Sequence, residues 1–288
     1  PDVPAMDYED HDAHSKRIFD ANDWRSFDIT DEHVKRSRRA YFANISYLDD
    51  KIGEILGTLE RTRQADNTII LFLSDHGDML GERGLWFKMA FWENSGRVPF
   101  WFAGPGIRPQ RIDQPASTLD MLPTLCDLAG CDMSRIAPWT DGESLMPLMN
   151  GTGGRGPVPM EYAAEGTITP MVGLVDGPWK YIACKADPEI LYNLDDDPGE
   201  RTNLATDPAF APVLERFRAM AKARWNLDAY DAEVRASQAR RWVVYEALRT
   251  GKYTDWDFQP YRNAAERYMR NHMDLNILEE SQRFPRGE

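Results

Sequence analysis

An α/β chain in two parts is the fold class that the sequence predicts, with a layered helix-and-strand region first and a small antiparallel sheet after it. Three observations carry that prediction. Tyr41, Ile45, Leu48, Ile52, Ile55 and Leu59 recur at alternating steps of four and three, which is the spacing of one helix face. Residues 68–73 (TIILFL) and 99–103 (PFWFA) are short uncharged runs of the kind that form buried strands. A Gly/Pro-rich break at 151–159 precedes several short apolar segments separated by turn residues.

Each element can be justified in order. Residues 1–29 are rich in Asp, His and aromatic side chains without sustained periodicity, which predicts a surface or cleft-lining loop. His11 and His14 in it could line a site, although such residues are more often solvated. Thr30 offers an N-cap, and Asp31 and Glu32 complement the helix dipole in the first turn. The six-residue apolar face then predicts a long helix lying against a sheet. Asp66 and Asn67 end that helix and deliver the chain into a strand over 68–73, buried on both faces. The strand over 99–103 closes at Gly104-Pro105-Gly106. Ser117 and Asp120 form a capping box, Leu119, Leu122, Leu125 and Leu128 continue as a helix, and Gly130 ends it. Pro123 inside the pattern predicts a kink or a late helix start. Segments 160–164, 171–175 and 180–184 predict the small antiparallel sheet. Asp207-Pro208 introduces a helix with Phe210, Val213, Leu214 and Phe217 on its apolar face, and a further helix is expected over 232–248. The expected divisions are 1–150, 151–224 and 225–288.

The bulk numbers narrow the function. A chain of 288 residues, 42% hydrophobic, can bury a sizeable core. Its formal charge of −13 argues against a nucleic-acid binder or a partner of anionic membranes, since both reward clustered Lys and Arg. No apolar run approaches the length that spans a bilayer, and Pro1-Asp2-Val3-Pro4 does not read as a secretory signal. Cys126, Cys131 and Cys184 do not suggest a disulfide scaffold. The expected compartment is therefore the reducing cytoplasm, with the periplasm as the alternative.

Chemistry concentrates where the first strand ends. Residues 74–88 read SDHGDMLGERGLWFK, so a carboxylate and an imidazole stand on adjacent residues, Asp75 and His76. In open α/β sheets, ligands collect beyond the carboxyl ends of the strands. Taken alone, the string is also what a polar turn closing a strand looks like. The longer string resembles the metal and sulfate segment of the type I sulfatases, in the alkaline phosphatase superfamily. Residues 190–205 (ILYNLDDDPGERTNLA) resemble the signature of their small C-terminal subdomain. Residues 225–288, with RRWVVYEAL and RYMRNHMDLNILEESQRFPRGE, are similar to the C-terminal extension of the choline sulfatases. The implied fold is an alkaline-phosphatase-like sandwich, incomplete at its N-terminal side, with a small sheet subdomain and a C-terminal extension.

The resemblance also implies roles. Asp75 and His76 match metal ligands, with calcium favoured and magnesium or manganese as alternatives; hard-ion chemistry alone would not choose the imidazole. Asp78 is expected to support them and not to coordinate. Lys88 matches the catalytic, sulfate-contacting lysine, a compact cation suited to the departing ester oxygen. Arg83 and Arg97 rank lower as anion partners because Glu82 and Glu93 stand beside them. Glu165 matches a carboxylate near the substrate, where a choline head group would be held by charge and aromatic faces. The residues alone leave Glu165 equally readable as a surface glutamate at a strand end.

Two family elements have no counterpart here: a strand with two acidic metal ligands, and the Cys-x-Pro/Ala-x-Arg motif whose cysteine becomes formylglycine. Cys131 is a near miss, because Met133 stands where Pro or Ala belongs. The resemblance therefore implies the C-terminal part of a choline-sulfatase-like enzyme whose nucleophile lies outside this chain, inactive without the rest of the sulfatase. A phosphonate monoester or phosphodiester hydrolase of the same superfamily, or a non-catalytic assembly fragment, is the alternative. Residues 268–288 carry more apolar side chains than a solvated tail needs, and the resemblance implies a homo-oligomer, dimer or tetramer, held through that tail.

Overall fold

In a computed structural model, residues 1–251 are described. They form α1 (Ala13–Ala21), α2 (Asp31–Arg61), β1 (Ile70–Leu73), α3 (Glu93–Gly96), β2 (Phe100–Ala103), α4 (Met121–Leu128), α5 (Met133–Ile136) and α6 (Met146–Asn150). Then follow β3 (Val158–Tyr162), β4 (Met171–Asp176), β5 (Trp179–Cys184), β6 (Asp187–Asn193), α7 (Ala211–Arg224) and α8 (Leu227–Arg249).

The first region differs from expectation in how little it buries. α2 starts where the sequence says: the Thr30 hydroxyl accepts from the His33 N–H, and the His33 ring reciprocates at the Thr30 N–H. Its apolar face is nevertheless uncovered, with no buried residue in the helix and Ile55 62% exposed. β1 pairs only with β2, antiparallel, Leu73 opposite Phe100, and both strands are at most half-buried. The stacked Phe72 and Trp101 rings, 5.1 Å apart, lie on that two-stranded sheet, with Trp101 still exposed. Gly104 closes β2 at φ +129°, because a Cβ there would lie 2.6 Å from the Thr68 carbonyl oxygen. α4 starts late, after a turn in which Ser117 and Asp120 cap each other, so Pro123 falls in its first turn. Asp120 is anchored by Arg155 through two hydrogen bonds, one of 2.8 Å from Nη2.

The loop expected at the N-terminus contains α1. Asp12 caps it by accepting from the His14 and Ser15 N–H groups, and Ile18 is buried on its inner side. The polar run His14, Ser15, Lys16 and Arg17 hides the helix, since only one of its nine residues is a large aliphatic.

The second region matches the reading and extends it. β3, β4, β5 and β6 form an antiparallel sheet in that order, and β6 is a strand that the sequence reading did not find. α7 covers one face, with Phe217 and Leu214 packed among Val172, Leu174, Tyr181 and Leu191. The other face receives the loop between β1 and α3: Phe91 packs with Met171, Ile182 and Cys184, and Met79, Leu85 and Trp92 pack with Ile18, Trp24 and Tyr192. The cysteines are free, Cys126 and Cys184 buried and Cys131 exposed on a loop. α8 spans the expected second helix and leaves Trp242, Val243 and Leu248 exposed. The expected tail over 268–288 lies outside the described residues. No described helix is long and apolar enough to cross a membrane.

Candidate active site

β1 ends at Leu73, and the next five residues turn sharply. The Ser74 hydroxyl donates to the His76 carbonyl at 2.9 Å, and the His76 N–H donates to Asp75 Oδ1 at 2.9 Å. That N–H, together with the His76 ring and Ser74, holds the Asp75 carboxyl below the usual carboxylate range although it stands in solvent.

The ring geometry bears directly on metal chemistry. His76 Nδ1 lies 2.7 Å from the Gly77 carbonyl oxygen, and a carbonyl can only accept, so Nδ1 carries the proton. In the neutral ring Nε2 then presents a lone pair, and it faces Asp75 Oδ2 at 3.3 Å. Two electron-rich atoms that close together are complementary to a cation between or beside them. A carboxylate oxygen and an imidazole nitrogen are donor types that a divalent cation accepts. Among the described residues no group of three or more His, Cys, Asp or Glu converges, so further ligands would come from elsewhere. Asp78 turns away from this task by accepting from the Leu80 N–H at 2.9 Å.

Lys88 is exposed, and no described residue pairs with its ammonium. Its backbone is fixed. The Ser95 hydroxyl donates to the Lys88 carbonyl at 2.7 Å, while the Ser95 carbonyl accepts from the Gly77 N–H at 2.7 Å. One residue of α3 thus joins the Asp75–His76 turn to Lys88. The Met79 N–H adds a bond to the Phe87 carbonyl at 2.8 Å. Phe87 has φ +62°, a left-handed conformation unusual for a bulky residue, and it stays exposed beside Lys88.

Glu165 lies on the loop joining β3 to β4, exposed, and accepts from the Tyr162 hydroxyl at 3.0 Å. Burial and that bond raise the Tyr162 phenol well above its ordinary value. His14 connects this loop to the Lys88 loop. Its Nε2 lies 2.6 Å from the Met89 carbonyl, its ring meets Tyr162 edge-on at 5.7 Å, and a Cβ on Gly166 would touch its Cε1. Arg17 holds the same loop, donating to the Gly166 carbonyl at 2.6 Å and pairing with Asp187.

Several site residues were therefore missed or misjudged by sequence reasoning. His11 and His14 are buried, not solvated, and His11 Nε2, His14 Nδ1 and Asp12 Oδ2 have no hydrogen-bond partner among the described residues. Arg83 is buried over the Trp92 ring at 4.0 Å and donates to the Gly199 carbonyl, so it is a packing residue. Arg97 pairs with Glu93 as expected. Ser95, which bonds both Gly77 and Lys88, and the buried pair Lys180 and Glu200 were not singled out by the sequence. Burial pushes the Glu200 carboxyl up, against the pull of Lys180. The one sequence signal for these residues was the resemblance at 190–205, which includes Glu200 but says nothing of what it touches.

Comparison with known proteins shows which family the chain belongs to. The family profile "Sulfatase" matches residues 5–131, "N-sulphoglucosamine sulphohydrolase, C-terminal" matches 81–225, and "Choline sulfatase enzyme C terminal" matches 232–284. The chain is 58% identical to a choline-sulfatase of Rhizobium meliloti, over 100% of this chain and 57% of the relative. It is 32% identical to a delta 4,5-hexuronate-2-O-sulfatase of Bacteroides thetaiotaomicron, over 70% of this chain and 47% of that protein. The chain thus spans about half the length of these curated relatives. Among solved structures, a 2-O GAG sulfatase matches with TM-score 0.68 and 28% identity, covering 83% of this chain and 54% of the other. A phosphonate monoester hydrolase of Silicibacter pomeroyi matches with TM-score 0.65 and 26% identity, covering 77% and 50%.

Proposed function

Because this chain belongs to the sulfatase family, we propose that it supplies the C-terminal portion of a sulfuric ester hydrolase acting on choline sulfate. The observation that carries this reading is the facing pair Asp75 Oδ2 and His76 Nε2, 3.3 Å apart, in a chain 58% identical along its whole length to a choline-sulfatase. The match over 232–284 favours choline sulfate over a phosphonate ester, since that extension is matched by a choline sulfatase profile.

The residues divide the work as follows. Asp75 and His76 would hold a divalent cation, calcium before magnesium or manganese, and such an ion neutralises charge on sulfate oxygens. The nucleophile, a formylglycine hydrate, belongs outside this chain. Lys88, whose backbone is pinned by Ser95, would offer its ammonium to the charge that grows on the departing choline oxygen. Glu165, on the β3–β4 loop and bonded to Tyr162, would offer a carboxylate to the trimethylammonium group.

The uncovered apolar face of α2 and the two-stranded β1–β2 sheet support the partial character of the chain. A lone pair of strands and a helix with no buried side chain are marginal in water, so the rest of the sulfatase is expected to cover them. Sequencing the native protein upstream of Pro1 and weighing it intact tests for a formylglycine-bearing segment. Rates on choline sulfate and on a phosphonate monoester then test the substrate. Faster turnover of the phosphonate would overturn the choline sulfate assignment.

A further inference from the structure

Behind the candidate site lies a charge cluster that neither the metal pair nor the substrate residues use. Lys180 on β5 is 1% exposed and Glu200 is 2% exposed. The Lys180 ammonium lies 2.6 Å from Glu93 Oε1 and 2.8 Å from Glu200 Oε1, and it donates to the Phe91 carbonyl at 2.8 Å. The second Glu200 oxygen accepts from the Glu93 N–H at 2.8 Å. An ammonium has three donors, and here each finds an oxygen.

Such a cluster is a poor source of stability, because removing charges from water costs about what their attraction returns. Its value lies in what it fixes. Both carboxylates and the backbone acceptor converge on the start of α3, at Phe91 and Glu93. α3 is a single turn of four residues, too short to persist without outside contacts. Its Ser95 is the residue that bonds both Gly77 and Lys88. The path from β5 to the site is thus three links long: Lys180 and Glu200 to Glu93, Glu93 through α3 to Ser95, and Ser95 to both loops. Arg83 reinforces it, since its guanidinium donates to the carbonyls of Gly199 and Glu200.

We propose that Lys180 and Glu200 are positioning residues, a buried clamp by which the four-stranded sheet sets the register of Lys88 against the Asp75–His76 turn. The inference rests on the functional reading for the role of Lys88, but the clamp itself is a claim about coupling between two regions of this chain.

Amide hydrogen exchange on the intact enzyme tests it. In Glu200→Gln, and more strongly in Lys180→Met, amides over 75–97 should exchange about tenfold faster or more, Gly77 and Ser95 among them. Amides of α7 and β4 should keep their protection. Lys180→Arg, which keeps a buried cation within reach of both carboxylates, should restore most of it. Unchanged exchange over 75–97 in Glu200→Gln would overturn the clamp. So would equal acceleration in α7 and β4, since that is what general loosening produces. If Lys180→Met fails to fold, Glu200→Gln still decides. A separate arm keeps the two readings apart: if Lys88→Ala in the intact enzyme leaves choline sulfate hydrolysis unchanged, the functional reading falls while the exchange result stands.

Discussion

Gly77→Ala offers the sharpest test of how the site is built. A Cβ on Gly77 would lie 2.0 Å from the Asn94 carbonyl oxygen, 3.0 Å from its carbon and 3.4 Å from the Ser95 oxygen. Side-chain carbons essentially never approach backbone atoms below 3.0 Å, so the turn and α3 must separate by about 1 Å. The atoms in the way are backbone, with no rotamer to escape into. Separation breaks the 2.7 Å bond from the Gly77 N–H to the Ser95 carbonyl. The lost bond contributes about 1 kcal/mol and the strain about 1–3 kcal/mol, so the variant should lose roughly 2–4 kcal/mol of stability. For a chain of this size that is a fall in Tm of about 5–10 °C by calorimetry. Displacing Asp75 and His76 by 1 Å relative to Lys88 should also cost about 10²-fold in kcat/KM of the intact enzyme. A variant with parental Tm and parental activity would refute the idea that this contact sets the site, whatever the function.

Three further outcomes follow from the same geometry. Lys88→Ala in the intact enzyme should lower kcat/KM for choline sulfate by about 10²–10³-fold, while leaving Tm within about 1 °C because the side chain is exposed; steady-state kinetics and calorimetry check both. Glu165→Gln should raise KM for choline sulfate by about 5–30-fold, the worth of one partly desolvated contact to a cation, and far less for an uncharged aryl sulfate; equal effects on both would remove Glu165 from recognition. Arg17, hydrogen-bonded to Asp187, holds that carboxyl below its ordinary range. A depressed folded-state value stabilises above the unfolded value near 3.9 and is lost as pH falls through the folded one. Urea titrations should therefore show Asp187→Asn less stable than the parent at neutral pH, with the gap closing below about pH 4; a constant gap would contradict the pairing.

Much of the second region was legible because its signals are local. Turn residues separate its strands, and the apolar spacing of Phe210, Leu214 and Phe217 announces the helix that covers them. β6 escaped notice because Asp187-Pro188-Glu189 opens it with charge and proline, which read as a turn. α1 escaped because its burial comes from His14 and Ser15 as much as from Ile18, and polar residues carry no hydrophobic period.

The sequence by itself determined the capped helix at Thr30, the strand ending at Leu73, the antiparallel sheet after residue 151 and the resemblance that singles out Asp75, His76, Lys88 and Glu165. Those are properties of neighbouring residues, set by periodicity, capping and turn chemistry. Only the tertiary structure decided that His76 turns its Nε2 toward Asp75, that Ser95 joins two loops, that His14 is buried between Met89 and Tyr162, and that Lys180 meets Glu93 and Glu200. Such contacts link residues as far apart in the sequence as His14 and Tyr162. A buried charge is tolerated only where the folded chain delivers its partners, and a string of residues cannot state where that will be.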